Sequence, residues 1–418
     1  MIITAPSRFW TMRFLSVSPT WTLMGIVAAT RVLLVGEIHI GEVVALALLP
    51  FLLLQGRVSR NLVWLMALAV MWSLGQLVSD LVNKTATTDM FKGVFAPLVL
   101  AGTATSFAIL FTRYPERMPP FLLGMGIEAI LQVMYSPTPY QINEPWKWGY
   151  AFGVLAIGLV LLSFFRIRSR LVMVAATGLF ATVCLLFNAR ALSMFPVAGL
   201  LVYMFWTARW GNGFKHWLQG RFGALKLATI IVLAIVVLNS GLTLFFSSGL
   251  LDPYLSPEVA QKYRLQASTD VGVLLAGRSE SLISLKAYAD APILGHGSWA
   301  QDKASYLDEY LSLRYRYGIT EDDKQEDDST LIPAHSYLIG AMVWGGIVGG
   351  LFWVLFTWRV ARLYLMAASG LPLYFHVGMV SYLWNLLFSP FGAVARWDLA
   401  IFFAVLVAYT PQKDRESR

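Results

Sequence analysis

Residues 336–357 read SYLIGAMVWGGIVGGLFWVLFT, twenty-two positions in succession without a charge. A helix rises about 1.5 Å per residue, so this run reaches about 33 Å, enough to cross the ~30 Å hydrocarbon core of a bilayer. Inside lipid the backbone has no water to pair with, and a single run can satisfy its own N–H and C=O groups only as a helix. The rest of the chain repeats the theme. A window of about 19 residues places spans near 16–35, 39–55, 61–80, 93–112, 119–135, 148–165, 171–187, 191–207, 226–248, 336–357, 372–389 and 397–410. The expected fold is an all-α integral membrane protein with about twelve transmembrane helices.

Composition agrees. The hydrophobic fraction is 57% and the charged fraction 13%, against roughly 25% charged residues in soluble domains, and mean hydropathy is +0.62. Lipid is therefore the main solvent. The net charge of +8 does not form a nucleic-acid face, because the basic residues are dispersed through short connections between apolar runs. With the N-terminus cytoplasmic, the inside loops and tails hold 18 Lys and Arg, among them Arg57, Arg60, Arg113, Arg117, Arg359 and Arg362. The short outside loops hold only 5, namely Lys84, Lys92, Lys147, Arg190 and Arg396. Both termini are expected in the cytoplasm. Arg8 and Arg13 precede the first apolar run, which lacks a cleavage site and reads as an uncleaved span. The single cysteine, Cys184, excludes an internal disulfide and a thiolate metal cluster.

The chain then divides into 1–248 with nine spans, a large loop at 249–335, and 336–418 with three spans and a cytoplasmic tail. The loop carries 14 of the 24 acidic residues and reads as a water-exposed helical unit outside the cytoplasm. Ser256-Pro257-Glu258 opens a helix through about Gln266, as N-cap serine followed by proline does. Ser279 and Glu280 start another that stops before Pro292. Trp299, Tyr306, Leu307, Tyr310 and Leu313 recur at helical spacing over 299–316, predicting an aromatic face packed on other loop helices or on the membrane interface. No segment alternates convincingly as a strand, and no fixed-period repeat is present.

Polar groups at the outer mouth of the bundle are costly to keep in lipid and so carry most information. His335 lies in Pro333-Ala334-His335-Ser336-Tyr337, at the start of a helix, where a neutral imidazole can accept a proton. The competing reading is an interfacial histidine with no task. Gly345, Gly346, Gly349 and Gly350 follow in overlapping G-x-x-x-G patterns that predict close helix packing. Arg190, in Asn188-Ala189-Arg190, sits between two spans, and Arg278 lies in Ala276-Gly277-Arg278-Ser279-Glu280. Two guanidinium forks facing one cavity suit a pyrophosphate, and the alternative is that each pairs with a loop carboxylate. Arg396 is expected to pair with Asp398 or to snorkel, and Arg31 to snorkel. Glu128 stands out as the main acid within the spans. Gly295-His296-Gly297-Ser298-Trp299-Ala300 fits G-x-G-x-x-A but lacks a parallel sheet, so it is no dinucleotide site; its turn could present backbone N–H groups to phosphate. The acidic run Glu321 to Asp328 reads as solvated loop more than as a cation site. The histidines His39, His216, His296, His335 and His376 lack metal-ligand spacing, so no metal is expected.

Three of these features, in this order, resemble the superfamily of bacterial O-antigen ligases and O-antigen polymerases. His335-Ser336, nine residues and Gly346 match the H-[NSQ]-x9-G pattern that follows the ligases' large periplasmic loop. Gly277-Arg278 followed by Pro292-Ile293-Leu294-Gly295-His296-Gly297 is similar to the loop signature, although Leu282 replaces an aromatic residue one turn after the arginine. Asn188-Ala189-Arg190 resembles the family's arginine between two spans. The resemblance implies a GT-C-like glycosyltransferase of the Gram-negative inner membrane. It would move a polysaccharide from undecaprenyl pyrophosphate to lipid A–core on the periplasmic face, with no cofactor and no metal. In that reading Arg190 and Arg278 bind the pyrophosphate, His335 is the general base, and Arg396, Gly295, Gly297 and Ser336 are possible additional site residues. A polymerase, a protein oligosaccharyltransferase and a lipid-linked glycan flippase are the alternatives. The single large loop favours the ligase, and the scarcity of midplane acids disfavours a transporter.

Overall fold

A computed structural model describes residues 18–55, 58–165, 169–187, 189–208, 213–214, 217, 223–250, 257–317 and 330–410. The N-terminal arginines Arg8 and Arg13, Asn188, Ser256 and the acidic run Glu321 to Asp328 lie outside the described residues. In chain order come α1 (Pro19–Ala29), strands β1 (Arg31–Leu33) and β2 (Glu37–His39), α2 (Ile40–Gln55), α3 (Arg60–Asn83), α4 (Thr87–Arg113), α5 (Met118–Tyr135) and α6 (Pro139–Asn143). They are followed by α7 (Ala151–Phe164), α8 (Arg170–Leu186), α9 (Arg190–Thr207) and α10 (Gly223–Ser247). The long segment after α10 holds α11 (Pro257–Ala267), α12 (Gly272–Ala276), α13 (Ser279–Asp290) and α14 (Tyr306–Arg316). The chain closes with α15 (Tyr337–Ala367), α16 (Leu373–Phe388) and α17 (Ala393–Tyr409).

Among the described residues, six helices are long and apolar enough to cross a membrane: Arg60–Asn83, Thr87–Arg113, Pro115–Tyr135, Trp146–Phe164, Arg190–Thr207 and Tyr337–Gly370. Pro19–Ala29, Ile40–Gln55, Arg170–Leu186 and Leu373–Phe388 are apolar but shorter. This is an all-α membrane protein with one small hairpin. Leu74, Leu81, Leu179 and Leu201 point outward from α3, α8 and α9 and are exposed. Such a surface would be an aggregation liability in water and is normal against lipid. Inside, Trp353 and Phe356 of α15, Phe111 of α4, and Trp397 and Phe403 of α17 are fully buried in one aromatic core. Glycine permits the closest helix approach between α1 and α5, where a Cβ at Gly25 would stand 2.1 Å from the Phe121 carbonyl oxygen.

The first expected span, 16–35, is helical only to Ala29. Arg31–Leu33 then pairs antiparallel with Glu37–His39, against the expectation of no strands. Strands of three residues disappear in a 19-residue average, and here Leu34 N–H donates to the Gly36 carbonyl to close the turn. Arg31 does not simply snorkel, since its Nη1 lies 3.5 Å from Glu37 Oε2.

Of the glycines of α15, Gly345 packs closely on Gln76 of α3, Gly346 meets the loop at Ile293, and Gly349 and Gly350 meet residues of α15 itself. At Gly345 (φ −115°, ψ 15°) and Gly346 (φ 59°, ψ −146°) the helix opens, and the loop turn after α13 enters the gap. His296 N–H donates to Val343 O at 2.7 Å, Gly297 N–H to Trp344 O at 3.0 Å, and Ile347 N–H to Pro292 O at 2.9 Å. A kink normally leaves orphan groups in lipid, and this turn supplies their partners. Gly346 stands nine residues, about 14 Å, inside α15, so the turn reaches well below the start of that helix.

The far side of the turn is gripped by α3. Ser298 N–H donates to Asp80 Oδ1 at 2.5 Å, and Ser298 Oγ donates to Asp80 Oδ2 at 2.8 Å. Gln76 Nε2 donates to Ser298 Oγ, Ser79 Oγ to Trp344 O, and Asn83 Nδ2 to Gly295 O. Asp80, near the end of α3, and Glu42, in the first turn of α2, are buried acids at helix ends, while Glu128 lies mid-helix in α5. Glu128 is also buried and accepts the Tyr135 hydroxyl hydrogen bond at 2.9 Å.

The loop packs as a small core of its own around Ile283, Ala287, Ala300, Tyr306, Tyr310 and Ile332, joined to Val343 of α15. The helices at 257 and 279 stand where the sequence places them. The third begins at Tyr306 and not at 299. Trp299 adopts a positive φ of 49° and stacks on Trp344 with ring centroids 4.6 Å apart.

Candidate functional site

Three segments meet on the C-terminal two turns of α16. The first is the start of α13. Its N-cap residue Arg278 places its guanidinium 5.8 Å from the centre of the Trp384 ring. The second is the entry to α15, where Ser336 donates through Oγ to Leu386 O at 2.7 Å and accepts the Ile339 N–H at 3.0 Å. His335, half-buried, is the next residue back. The third is the start of α9. Phe195, one and a half turns after Arg190, packs edge-on against Trp384 with ring centroids 6.0 Å apart. Arg190 and His335, 145 positions apart, thus lie on segments whose neighbouring residues Phe195 and Ser336 both contact the end of α16, at Trp384 and Leu386.

The charges there are incompletely compensated. Arg190 is half-buried, and its guanidinium stacks 4.6 Å from the centre of the Tyr263 ring of α11. Among the described residues no carboxylate comes within ion-pair distance of it. Arg278 approaches only Glu280 Oε1, at 3.8 Å, the outer limit of an ion pair. Among the described residues, no loop carboxylate pairs with Arg190, and Glu280 meets Arg278 only loosely. Stacking on an aromatic ring occupies the flat face of a guanidinium and leaves the in-plane N–H donors for a planar or tetrahedral anion. Neither Tyr263 nor Trp384 carries a signal in the sequence that would have marked it.

The four additional candidates have other tasks. Arg396 pairs with Glu42 and not with Asp398. Its Nε donates to Glu42 Oε1 at 2.7 Å and its Nη2 to Glu42 Oε2 at 2.8 Å, a two-pronged pair with a carboxylate of zero exposure. Asp398 is two positions along α17, a spacing that faces away on a helix. The same carboxylate caps α2 by accepting the His39 N–H at 2.9 Å, and the His39 ring stacks on Trp397. Gly295 and Gly297 have positive φ, 72° and 85°, as a tight turn requires. Four amides of the turn are already taken. Its N–H groups from Gly295 to Ser298 go to Ala291 O, Val343 O, Trp344 O and Asp80 Oδ1. The Ser336 hydroxyl is occupied in both directions, as helix cap and as tether to α16. Among the described residues no group of three or more His, Cys, Asp or Glu is arranged to hold a metal ion.

Compared with known proteins, the chain matches no family model and no curated sequence.

Proposed function

We propose that this chain is a lipid-linked glycan transferase that moves a polysaccharide from undecaprenyl pyrophosphate to the lipid A–core oligosaccharide. In this reading the helices make about twelve crossings of a Gram-negative inner membrane. Both termini are cytoplasmic and the segment from α11 to α14 is periplasmic. The observation that carries it is the guanidinium of Arg190 on Tyr263, with no carboxylate in ion-pair distance among the described residues, on a helix that meets the end of α16 as do the segments of Arg278 and His335. A half-buried cation without a carboxylate is expensive unless an anion arrives to pair with it.

The chemistry follows from the charges. An acceptor sugar hydroxyl attacks the anomeric carbon from the face opposite the pyrophosphate, its proton passing to the imidazole of His335. The bond from the anomeric carbon to the pyrophosphate oxygen breaks, and the electron pair leaves with the phosphate. Arg190 and Arg278 stabilise the charge that grows there, which is strongest as the bond breaks. The anomeric centre inverts, and His335 releases its proton to water. The departing group is already a good one, so the step requires no nucleotide.

The test is an acceptor swap with purified protein and lipid-linked glycan, offering lipid A–core, a second lipid-linked repeat, a peptide, or an empty second leaflet. Transfer only to lipid A–core supports the proposal. Transfer to the lipid-linked repeat or to the peptide identifies a polymerase or an oligosaccharyltransferase, and translocation without transfer identifies a flippase. His335→Ala is expected to abolish transfer. Arg190→Lys and Arg278→Lys are expected to rescue poorly, since an ammonium cannot grip two oxygens in one plane. Full activity of His335→Ala ends the proposal.

A further inference from the structure

We propose that Ser284 is a positioning residue that sets His335 against Arg278; this rests on the transferase reading above. Ser284 lies in α13, six residues or about 9 Å beyond Arg278, and is 1% exposed. Its Oγ stands 2.5 Å from the carbonyl oxygen of Pro333, two residues before His335, and 2.7 Å from Glu280 O of its own helix. One hydroxyl proton is shared between two carbonyls, so the bond to Glu280 alone would satisfy the serine locally. The approach to Pro333 adds nothing that α13 needs.

Pro333 has reason to need it. Proline has no N–H, so its carbonyl is the one backbone handle at that position. The preceding residue is secured by Ile332 N–H to Ala300 O at 2.9 Å, and the following helix by Ser336 on Leu386 O. Between those two anchors Ser284 ties the irregular stretch carrying the imidazole to the helix whose first turn carries the guanidinium. The route Arg278, α13, Ser284, Pro333, His335 contains one hydrogen bond and no substrate. The other end of α13 is held independently, through the turn that enters the α15 kink and bonds Asp80. The helix cannot drift to compensate when the strut is removed.

Misplacing reacting groups by about 1 Å costs on the order of 100-fold in rate, far more than it costs in ground-state binding. Ser284→Ala, and Ser284→Cys as a variant of preserved volume, are compared with wild type, Arg278→Ala and His335→Ala for turnover, donor KM and amide hydrogen exchange over residues 333–340. The strut predicts a kcat lower by about 10- to 100-fold in both Ser284 variants, a donor KM changed less than about threefold, and faster exchange over 333–340. Wild-type kcat in the Ser284 variants while His335→Ala is dead overturns the strut and leaves the transferase reading intact. A raised KM at unchanged kcat also overturns it. If His335→Ala is active, the transferase reading falls, and unaltered exchange in Ser284→Ala then disposes of the strut separately.

Discussion

Gly346→Ala is the sharpest probe of the opened helix, and Gly340→Ala, six residues earlier in α15, is its control. At Gly346 the backbone has φ 59° and ψ −146°, a combination that essentially only glycine adopts. Holding alanine there costs about 1–3 kcal/mol. The added Cβ would also stand 2.1 Å from Ile293 O, so the turn must withdraw or the kink must straighten. Either response strains the bonds from His296, Gly297 and to Pro292, each worth about 1 kcal/mol, which brings the loss to roughly 2–6 kcal/mol. At Gly340 the nearest atom to a new Cβ is the Ala334 Cβ, at an ordinary 3.7 Å. That substitution should stabilise by about 0.5–1 kcal/mol, because glycine is the poorer helix former. The assay is amide exchange at His296, Gly297 and Ile347 in detergent, together with thermal inactivation of both variants. Loss of protection in Gly346→Ala alone is expected. Equal protection in the two variants would show that the turn is not inserted in the helix.

The ion pair of Glu42 and Arg396 is nearly sealed, with side-chain exposures of 0% and 12%, so Arg396→Ala should destabilise by about 3–5 kcal/mol. The double variant with Glu42→Ala should recover part of that loss, and strict additivity in a double-mutant cycle would refute the pairing. Tyr306 donates to Asp290 Oδ2 at 2.6 Å, and burial first and then this carboxylate push its hydroxyl up to about 12. The unfolded phenol ionises near 10. The unfolded state therefore loses its proton first, and this contribution to stability is whole below about pH 10 and is lost between there and about 12. Tyr306→Phe should flatten that part of the stability curve, and an identical slope in both proteins would contradict it. If α11 and α12 are the movable part of the loop, spin labels on α11 and α9 should move apart when lipid pyrophosphate is added. Labels at Leu285 and on α15 should not change, and parallel behaviour of the two pairs would refute the division.

The helical plan was legible because lipid imposes one rule on every residue in a span, and a charge-free run such as 336–357 obeys it without help from distant contacts. Ser279 and Pro292 likewise mark their helix locally. What escaped was set by partners far away. Trp299 and Tyr306 are seven residues apart, a helical spacing, yet Trp299 is held by Trp344 and lies outside the helix. Arg396 has a carboxylate two residues on, yet pairs with Glu42, 354 residues away, because the hairpin turns α2 toward α17. Asp80 was visible as an acid at the end of an apolar run, with Gln76 one turn before it, and that pair was the available hint of the clamp. The spacing from His335 to Gly346 acquires a physical sense from the fold, the first residue standing at the entry of α15 and the second at its break.

The same contacts divide the loop into two mechanical parts. From Ser279 to Ser336 it is stitched to the bundle by three backbone bonds at the kink, two bonds to Asp80 and the Ser336 bond to Leu386 O. Lifting it would strand their donors and acceptors where no water replaces them, a cost of several kcal/mol. The α11 and α12 part is fastened differently. It leans on α10 through Asn239 to Val271 O and Val273 N–H to Thr243 Oγ1, and meets the site through Tyr263, stacked on Phe246 and under Arg190. A cation on a ring at a partly exposed place contributes only about 1 kcal/mol. If any part of the loop moves, these contacts favour α11 and α12 over the whole loop. An arriving anion that draws Arg190 off Tyr263 would release a contact by which that part touches the site.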